Sequence, residues 1–289
     1  MPIIEAKNLT YKYCTGTTYE RKALDNITFK VETGDVIGII GENGSGKSTL
    51  IKHLNGILQP TDGSIKIFGK DICDKRYRNE LWEKVGIVFQ FPEQQTFEDT
   101  VFNEIAYGLK NLQVSKEEIP VRVKSSLEKV GLEYESIISI SPLSLSGGIR
   151  RRVAVASILA MEPEILILDE CTAGLDLLGR EKIIDIIKKI KKESKTTIIM
   201  VSHNISELIE LCSHIAVLKD GKLISFGKTH QVLSEKNVQK MYFNMFPDYI
   251  QLMHKLSETF GNINAKSMYI EEIEMELHNL LKGFKDERN

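Results

Sequence analysis

Gly41-Glu42-Asn43-Gly44-Ser45-Gly46-Lys47-Ser48-Thr49 follows the phosphate-loop spacing: a glycine, four residues, a glycine, a lysine, then serine or threonine. Glycines at these points let backbone N–H groups turn inward around a polyphosphate where no Cβ intrudes. Lys47 is expected to reach the β- and γ-phosphates as a point charge, and the Ser48 hydroxyl to hold Mg²⁺. The stretch before the loop, Val36-Ile37-Gly38-Ile39-Ile40, has the β-branched content and length of a buried parallel strand. After it, Leu50, Ile51, Leu54, Ile57 and Leu58 recur at helical spacing. Strand, glycine loop and helix therefore stand in the order that a nucleotide site requires, with the helix N-terminal amides adding their dipole.

Working outward, Ile3–Tyr13 reads as an edge strand and residues 23–31 as a second strand, with a polar loop between. Together they suggest an antiparallel β layer beside the nucleotide. Tyr13 is either a half-buried strand aromatic or a platform for an adenine ring. Ser64–Phe68 and Val85–Phe89 are further strands, the latter ending at Gln90. Residues 115–131 read as a helix with Ser115 and Glu118 as a capping box, Pro120 falling in its early turns. Ser146-Gly147-Gly148 opens another helical pattern. Ile165-Leu166-Ile167-Leu168 ends in Asp169 and Glu170, and Thr197–Val201 ends in Ser202 and His203. Buried parallel strands deliver such residues to one carboxyl edge, so Lys47, Asp169, Glu170 and His203 are expected to converge. The helix between those two strands is expected over residues 181–192.

In this order, Gly41–Thr49, Gln90, Ser146-Gly147-Gly148, Asp169-Glu170, Gly174-Leu175-Asp176 and His203 resemble the Walker A, Q-loop, signature, Walker B, D-loop and H-loop of an ABC-type ATPase. The likeness spans residues 3–230. A narrower one, carried by Ala23-Leu24-Asp25, His53-Leu54-Asn55-Gly56, Phe89-Gln90-Phe91-Pro92-Glu93 and Met161-Glu162-Pro163, is to the ATPase subunits of energy-coupling factor transporters. The resemblance implies an α/β fold, a P-loop NTPase of ABC type with an antiparallel β layer. A helical subdomain would occupy residues 91–160, within a nucleotide-binding domain of residues 1–235. A C-terminal helical appendage would follow over 236–289.

It also implies roles. ATP would be held by Tyr13, Gly41, Asn43, Gly44, Ser45, Gly46, Lys47, Ser48 and Thr49. Glu170 would be the general base, with His203 and Gln90 near the γ-phosphate. Mg²⁺ would sit on Ser48, Gln90 and, through water, Asp169. Ser146, Gly147 and Gly148 would close on ATP held by a second ATPase subunit, identical or paralogous, with Asp176 in the D-loop. Such pairs energise a transmembrane coupling component and a small substrate-capture membrane protein, importing vitamins or transition-metal ions. Two other readings stand beside this one: a soluble ABC ATPase acting on nucleic acid or ribosomes, and a catalytically weak partner subunit. The pattern departs from the family at Ile149 (usually glutamine), Cys171 and Leu177 (usually proline).

Composition narrows the setting. The chain has 289 residues, 42% hydrophobic and 27% charged, with net charge −2; no global basic field points to nucleic acid. No apolar run is long enough to span a bilayer and no signal-peptide pattern opens the chain. Four scattered cysteines have neither disulfide nor metal spacing. The expected setting is the cytoplasmic face of the cell membrane, bound peripherally. Arg150-Arg151-Arg152 reads as a solvated or phosphate-proximal helix face. Glu93, Glu98, Asp99 and Glu104, interleaved with Phe91, Phe97 and Phe102, read as an acidic docking groove for an arginine-bearing helix of the membrane partner. Apolar positions at Ile270, Ile273, Leu277, Leu280, Leu281 and Phe284 fit either a cap on the same chain or a subunit contact.

Overall fold

Strands that are buried at every position form the centre of the larger sheet, as expected for parallel strands covered on both faces. The computed structural model describes residues 2–260, 270, 272–275, 277 and 278. Strand β3 (Val36–Gly41), β7 (Ile165–Asp169) and β8 (Thr197–Val201) are buried throughout. With β6 (Val85–Val88), β9 (His214–Lys219) and β10 (Lys222–Lys228) they make a six-stranded sheet in the order β10-β9-β3-β8-β7-β6. Every pairing is parallel except β9 with β10. Pairing of Ile39 and Asp169 with Val201 brings the ends of β3, β7 and β8 to one edge.

The antiparallel layer is built from β1 (Ile4–Tyr13), β2 (Arg21–Val31), β4 (Asp62–Ile67) and β5 (Lys70–Asp71), in the order β2-β1-β4-β5. The expected edge position of the first strand is thereby corrected. β1 pairs with β2 on one side and β4 on the other, and alternation along a strand does not tell how many neighbours it has. Register shifts follow Ala6 in β1, where Asn8 takes φ 50°, and Asn26 in β2 takes φ 55°. Each irregularity turns the strand so that residues three apart, Ala6 and Leu9 or Leu24 and Ile27, both reach the core.

Two apolar clusters lie on opposite faces of the large sheet. β3 feeds both: Ile37 and Ile39 join one with Leu50, Ile51 and Leu54 of the phosphate-loop helix, while Val36 and Ile40 join the other. That helix, Lys47–Leu54, ends where Gly56 takes φ 78°, so Ile57 and Leu58, expected within it, lie beyond. The helix expected over 115–131 spans Glu118–Lys129, with the Ser115 hydroxyl accepting from the Glu118 N–H (3.3 Å). Pro120 sits in its first turn, where a missing N–H costs nothing. It packs with helices Val101–Asn111 and Gly147–Ala160 within the segment assigned to the helical subdomain. The helix expected from residue 181 starts earlier, at Leu177, with Asp176 Oδ1 accepting from the Gly179 N–H (2.8 Å).

Beyond residue 235, helices Lys236–Tyr242 and Asp248–Phe260 send Val238, Tyr242, Ile250 and Met253 into the cluster that Val36 and Ile40 of β3 also join, and Ile273 enters it as well. Leu252, Ile270 and Met275 face outward. Leu280, Leu281 and Phe284 lie outside the described residues. Among the described residues no helix is long and apolar enough to cross a membrane.

Candidate nucleotide site

The phosphate loop leaves β3 in a conformation that its glycines make possible. Gly44 and Gly46 take φ 80° and 105°. A Cβ on Gly46 would lie 2.7 Å from the Ala23 carbonyl oxygen, and one on Gly41 would strike the Ser45 hydroxyl. The turn between β9 and β10 braces the loop from outside, with the Gly221 N–H donating to Ser45 O (3.1 Å). Lys47 Nζ donates to the carbonyls of Gly41 (2.7 Å) and Glu42 (3.0 Å). Burial lowers its pKa, opposed by the charges of Glu170 and Asp169. Ser45 Oγ is buried with no hydrogen-bond partner among the described residues, a donor of the kind that a phosphate oxygen would satisfy.

A cavity of about 520 Å³ opens over this loop, lined by Asn43, Gly44, Gly46, Lys47, Ser48 and Thr49, and by Tyr13, Arg21, Ala23, Gln90, Glu170 and His203. Tyr13 is 37% exposed, meets Tyr11 edge-on at 4.8 Å, and shares a hydrogen bond with the Thr49 hydroxyl (3.2 Å). One ring thus lies in the strand layer and lines the cavity. Arg21 is a residue that sequence reasoning missed. It opens β2, two residues before the strand expected from residue 23, where no motif marks it, and the pairing of Tyr13 with Arg21 across β1 and β2 brings it to the cavity.

Opposite the loop stand the strand-end residues. Glu170 takes φ 50°, a conformation rare for residues with a side chain. Both of its carboxylate oxygens are engaged: Gln90 Nε2 donates to Oε2 (2.9 Å), and His203 Nε2 lies 2.9 Å from Oε1. Asp169 is buried, and burial, followed by the neighbouring charge of Glu170, pushes its pKa up to about 6. The oxygen donors here are the Ser48 hydroxyl, the Gln90 amide oxygen and the Asp169 carboxyl, and Asp169 does not line the cavity itself. Hard oxygen ligands in small number suit Mg²⁺, which keeps waters and takes substrate phosphates as ligands. Among the described residues no three histidine, cysteine or acidic side chains are grouped so as to hold a metal ion by themselves.

Ser146, Gly147, Gly148 and Asp176 do not line this cavity. Ser146 precedes the helix Gly147–Ala160 without capping it through its side chain. A Cβ placed on Gly147 or Gly148 would meet nothing within 4 Å, and neither takes positive φ. Nothing among the described residues requires glycine there. Ile149 packs against the larger apolar cluster.

Two charge patterns differ from expectation. Arg151 is not solvated: it is 3% exposed, pairs with both oxygens of Glu93 (2.9 and 2.7 Å), and donates to the carbonyls of Cys171 (3.2 Å) and Ala173 (2.5 Å). Arg152 donates to the carbonyls of Val130 and Gly131. The acidic groove is correspondingly depleted. Glu93 is spent on Arg151, and buried Glu104 accepts from the N–H groups of Phe97 (3.1 Å) and Glu98 (3.0 Å). Of the other two acids, Asp99 is exposed and Glu98 half-buried, beside an exposed Phe97 that meets Tyr107 at 4.9 Å. Cys171 is buried, which pushes its thiol up to about 12 and keeps it protonated.

Comparison with known proteins agrees with this geometry. A family model described as ABC transporter matches residues 24–173. An energy-coupling factor transporter ATP-binding protein of Clostridium acetobutylicum is 44% identical over 286 residues, covering 99% of this chain and 100% of that protein. One from Ligilactobacillus salivarius is 38% identical, covering 97% and 98%. Among solved structures, cbiO1 of Clostridium perfringens, part of the ABC transporter complex cbiONQ, superposes with a TM-score of 0.74 at 34% identity, covering 90% of this chain and 96% of its own. A dimeric ATP-binding cassette in a post-hydrolysis state, bound to ADP and Pi, matches with a TM-score of 0.70 at 30% identity, covering 78% and 98%.

Proposed function

The chain belongs to the ABC transporter family, among the energy-coupling factor transporter ATP-binding proteins, and from that premise we propose that it binds and hydrolyses ATP to drive import through a membrane complex. Its own residues would divide the work. Tyr13 flanks the adenine, and the backbone N–H groups of residues 44–49 with Lys47 hold the β- and γ-phosphates. Glu170 takes the proton of the attacking water, while His203 and Gln90 fix the orientation of its carboxylate. Arg21, a cation on the same wall, adds charge complementary to the polyphosphate. Ser48, Gln90 and, through water, Asp169 would hold Mg²⁺. When bound, that ion would supply positive charge to the phosphates.

The observation that carries the paired form of this reading is the open space at Gly147 and Gly148. A helix N-terminus with uncapped amides and two glycines that the chain's own packing does not use is ready to accept an anion carried by another molecule. The γ-phosphate of ATP in a second ATPase subunit, identical or paralogous, fits that place. Peripheral attachment to the cytoplasmic face follows from partnership with a transmembrane coupling component and a substrate-capture protein. Neither a role on nucleic acid nor a catalytically weak subunit is favoured by the relatives described above or by the site. The test is Gly148→Val in the assembled ATPase pair. ATP binding by this chain's own phosphate loop should be unchanged while ATP-driven pairing is lost. Pairing at the wild-type level would contradict the composite site.

A further inference from the structure

A second small cavity, about 210 Å³, is lined by Glu170, His203, Ser202, Thr172, Arg180 and Glu207 among others. The Glu170–His203 contact therefore borders open space on this side, and packing alone does not hold it. Glu207 is 1% exposed, in the first turn of the helix Ile205–Leu211. A glutamate there ordinarily reaches back to the N-cap N–H. Here that N–H, of Asn204, donates instead to Ser202 Oγ (3.0 Å), and Asn204 Oδ1 accepts from the Glu207 N–H (3.3 Å). The cap is complete without the Glu207 side chain.

That side chain turns across to the site. Its Oε2 accepts from Ser202 Oγ (2.8 Å) and Thr172 Oγ1 (3.0 Å), and Arg180 Nε lies 2.7 Å from Oε1. Ser202 immediately precedes His203, and Thr172 is two residues past Glu170. The backbone pairing of β7 with β8 ends just before these segments, at Asp169 with Val201 and the Glu170 N–H donating to Val201 O (3.0 Å). A buried carboxylate is costly unless it is paired and hydrogen-bonded, and this one obtains both from the segments carrying the two reactive side chains and from the helix after Asp176. We infer that Glu207 is a positioning residue for hydrolysis: it holds the Ser202–His203 and Glu170–Thr172 segments in register so that His203 stays on the Glu170 carboxylate. Arg180 extends the same hold to the helix that Asp176 caps. The inference rests on the hydrolase reading of the site.

The experiment measures ATP turnover by the full chain in its assembled complex, for wild type, Glu207→Gln, His203→Ala and the double variant. Glutamine keeps the volume and removes the charge that faces Arg180. Misplacing a reacting group by about 1 Å costs on the order of 100-fold, so kcat should fall roughly 10- to 100-fold with KM within about threefold of wild type. In the His203→Ala background the same change should have almost no further effect, because Glu207 acts through that histidine. A purely structural role would lower the rate by the same factor in both backgrounds. Unchanged kcat in Glu207→Gln, or equal factors in both backgrounds, overturns the inference. Should Glu207→Gln fail to fold, Ser202→Ala leaves the Arg180 pair intact and carries the same comparison. A wild-type rate in His203→Ala alone would fault the reading of the site itself, and with it this inference.

Discussion

Replacing Arg151 with methionine removes a tie between three parts of the molecule while keeping the stem that fills its channel. The guanidinium holds Glu93, three residues past Gln90, and the carbonyls of Cys171 and Ala173, on the loop that leaves Glu170. Burial acts to raise the Glu93 pKa, but its bonds to Arg151 outweigh this and the net shift is downward. Breaking a buried ion pair by removing one partner costs about 3–5 kcal/mol. The Glu93 side chain retains 15% exposure and can turn to water, so the lower bound, about 3 kcal/mol, is the better expectation. At roughly 2–3 °C per kcal/mol for a chain of this size, the melting temperature should fall by about 6–9 °C. Differential scanning calorimetry on Arg151→Met, Glu93→Gln and the pair provides the check. The double variant should lose clearly less than the sum, with a coupling of about 1–3 kcal/mol. A melting temperature within 1 °C or so of wild type, or strict additivity, would refute the role assigned to this arginine.

Asp169→Asn tests the electrostatics of the strand end. The folded pKa of Asp169 is raised from 3.8 to about 6, so the native state binds the extra proton and wild-type stability falls as pH rises between those values. Without metal or nucleotide, the asparagine variant should be the more stable above pH 7 by up to about 3 kcal/mol, converging with wild type near pH 4. Equal stability of the two proteins at pH 8 in EDTA urea melts would contradict this. Ile149→Gln should cost about 1 kcal/mol of stability, because Ile149 packs against the apolar cluster, and should leave the coupled ATPase rate unchanged or raised. A large fall in rate would show that the isoleucine is required. Lys47→Ala should weaken ATP binding itself; unchanged affinity in a nucleotide titration would contradict the phosphate-loop reading.

The parts legible in the sequence are those whose signal is local. β3, β7 and β8 announce themselves as apolar runs because both faces are covered, and the glycine spacing of residues 41–49 is dictated by the loop's own backbone. Non-local features were hidden. Arg151 looks solvated in a run of three arginines because its partner Glu93 is 58 positions away. Glu104 looks like part of an acidic face because its acceptors' use depends on the turn at Phe97 and Glu98. The start of the helix at Leu177 escapes apolar periodicity because Leu177 and Leu178 are both exposed; only Asp176 as a cap marks it. Arg21 reaches the cavity through cross-strand register, which bulges in β1 and β2 shift by whole residues.

In the proposed function the Glu170 carboxylate, gripped by Gln90 and His203 across from the phosphate loop, activates the water that cleaves ATP. Glu170→Gln in the assembled complex tests it in one measurement of single-turnover hydrolysis with ATP occupancy recorded alongside. ATP should occupy the site fully, with hydrolysis slowed by about 10²–10⁴-fold. Hydrolysis at a near-normal rate with ATP bound would contradict it.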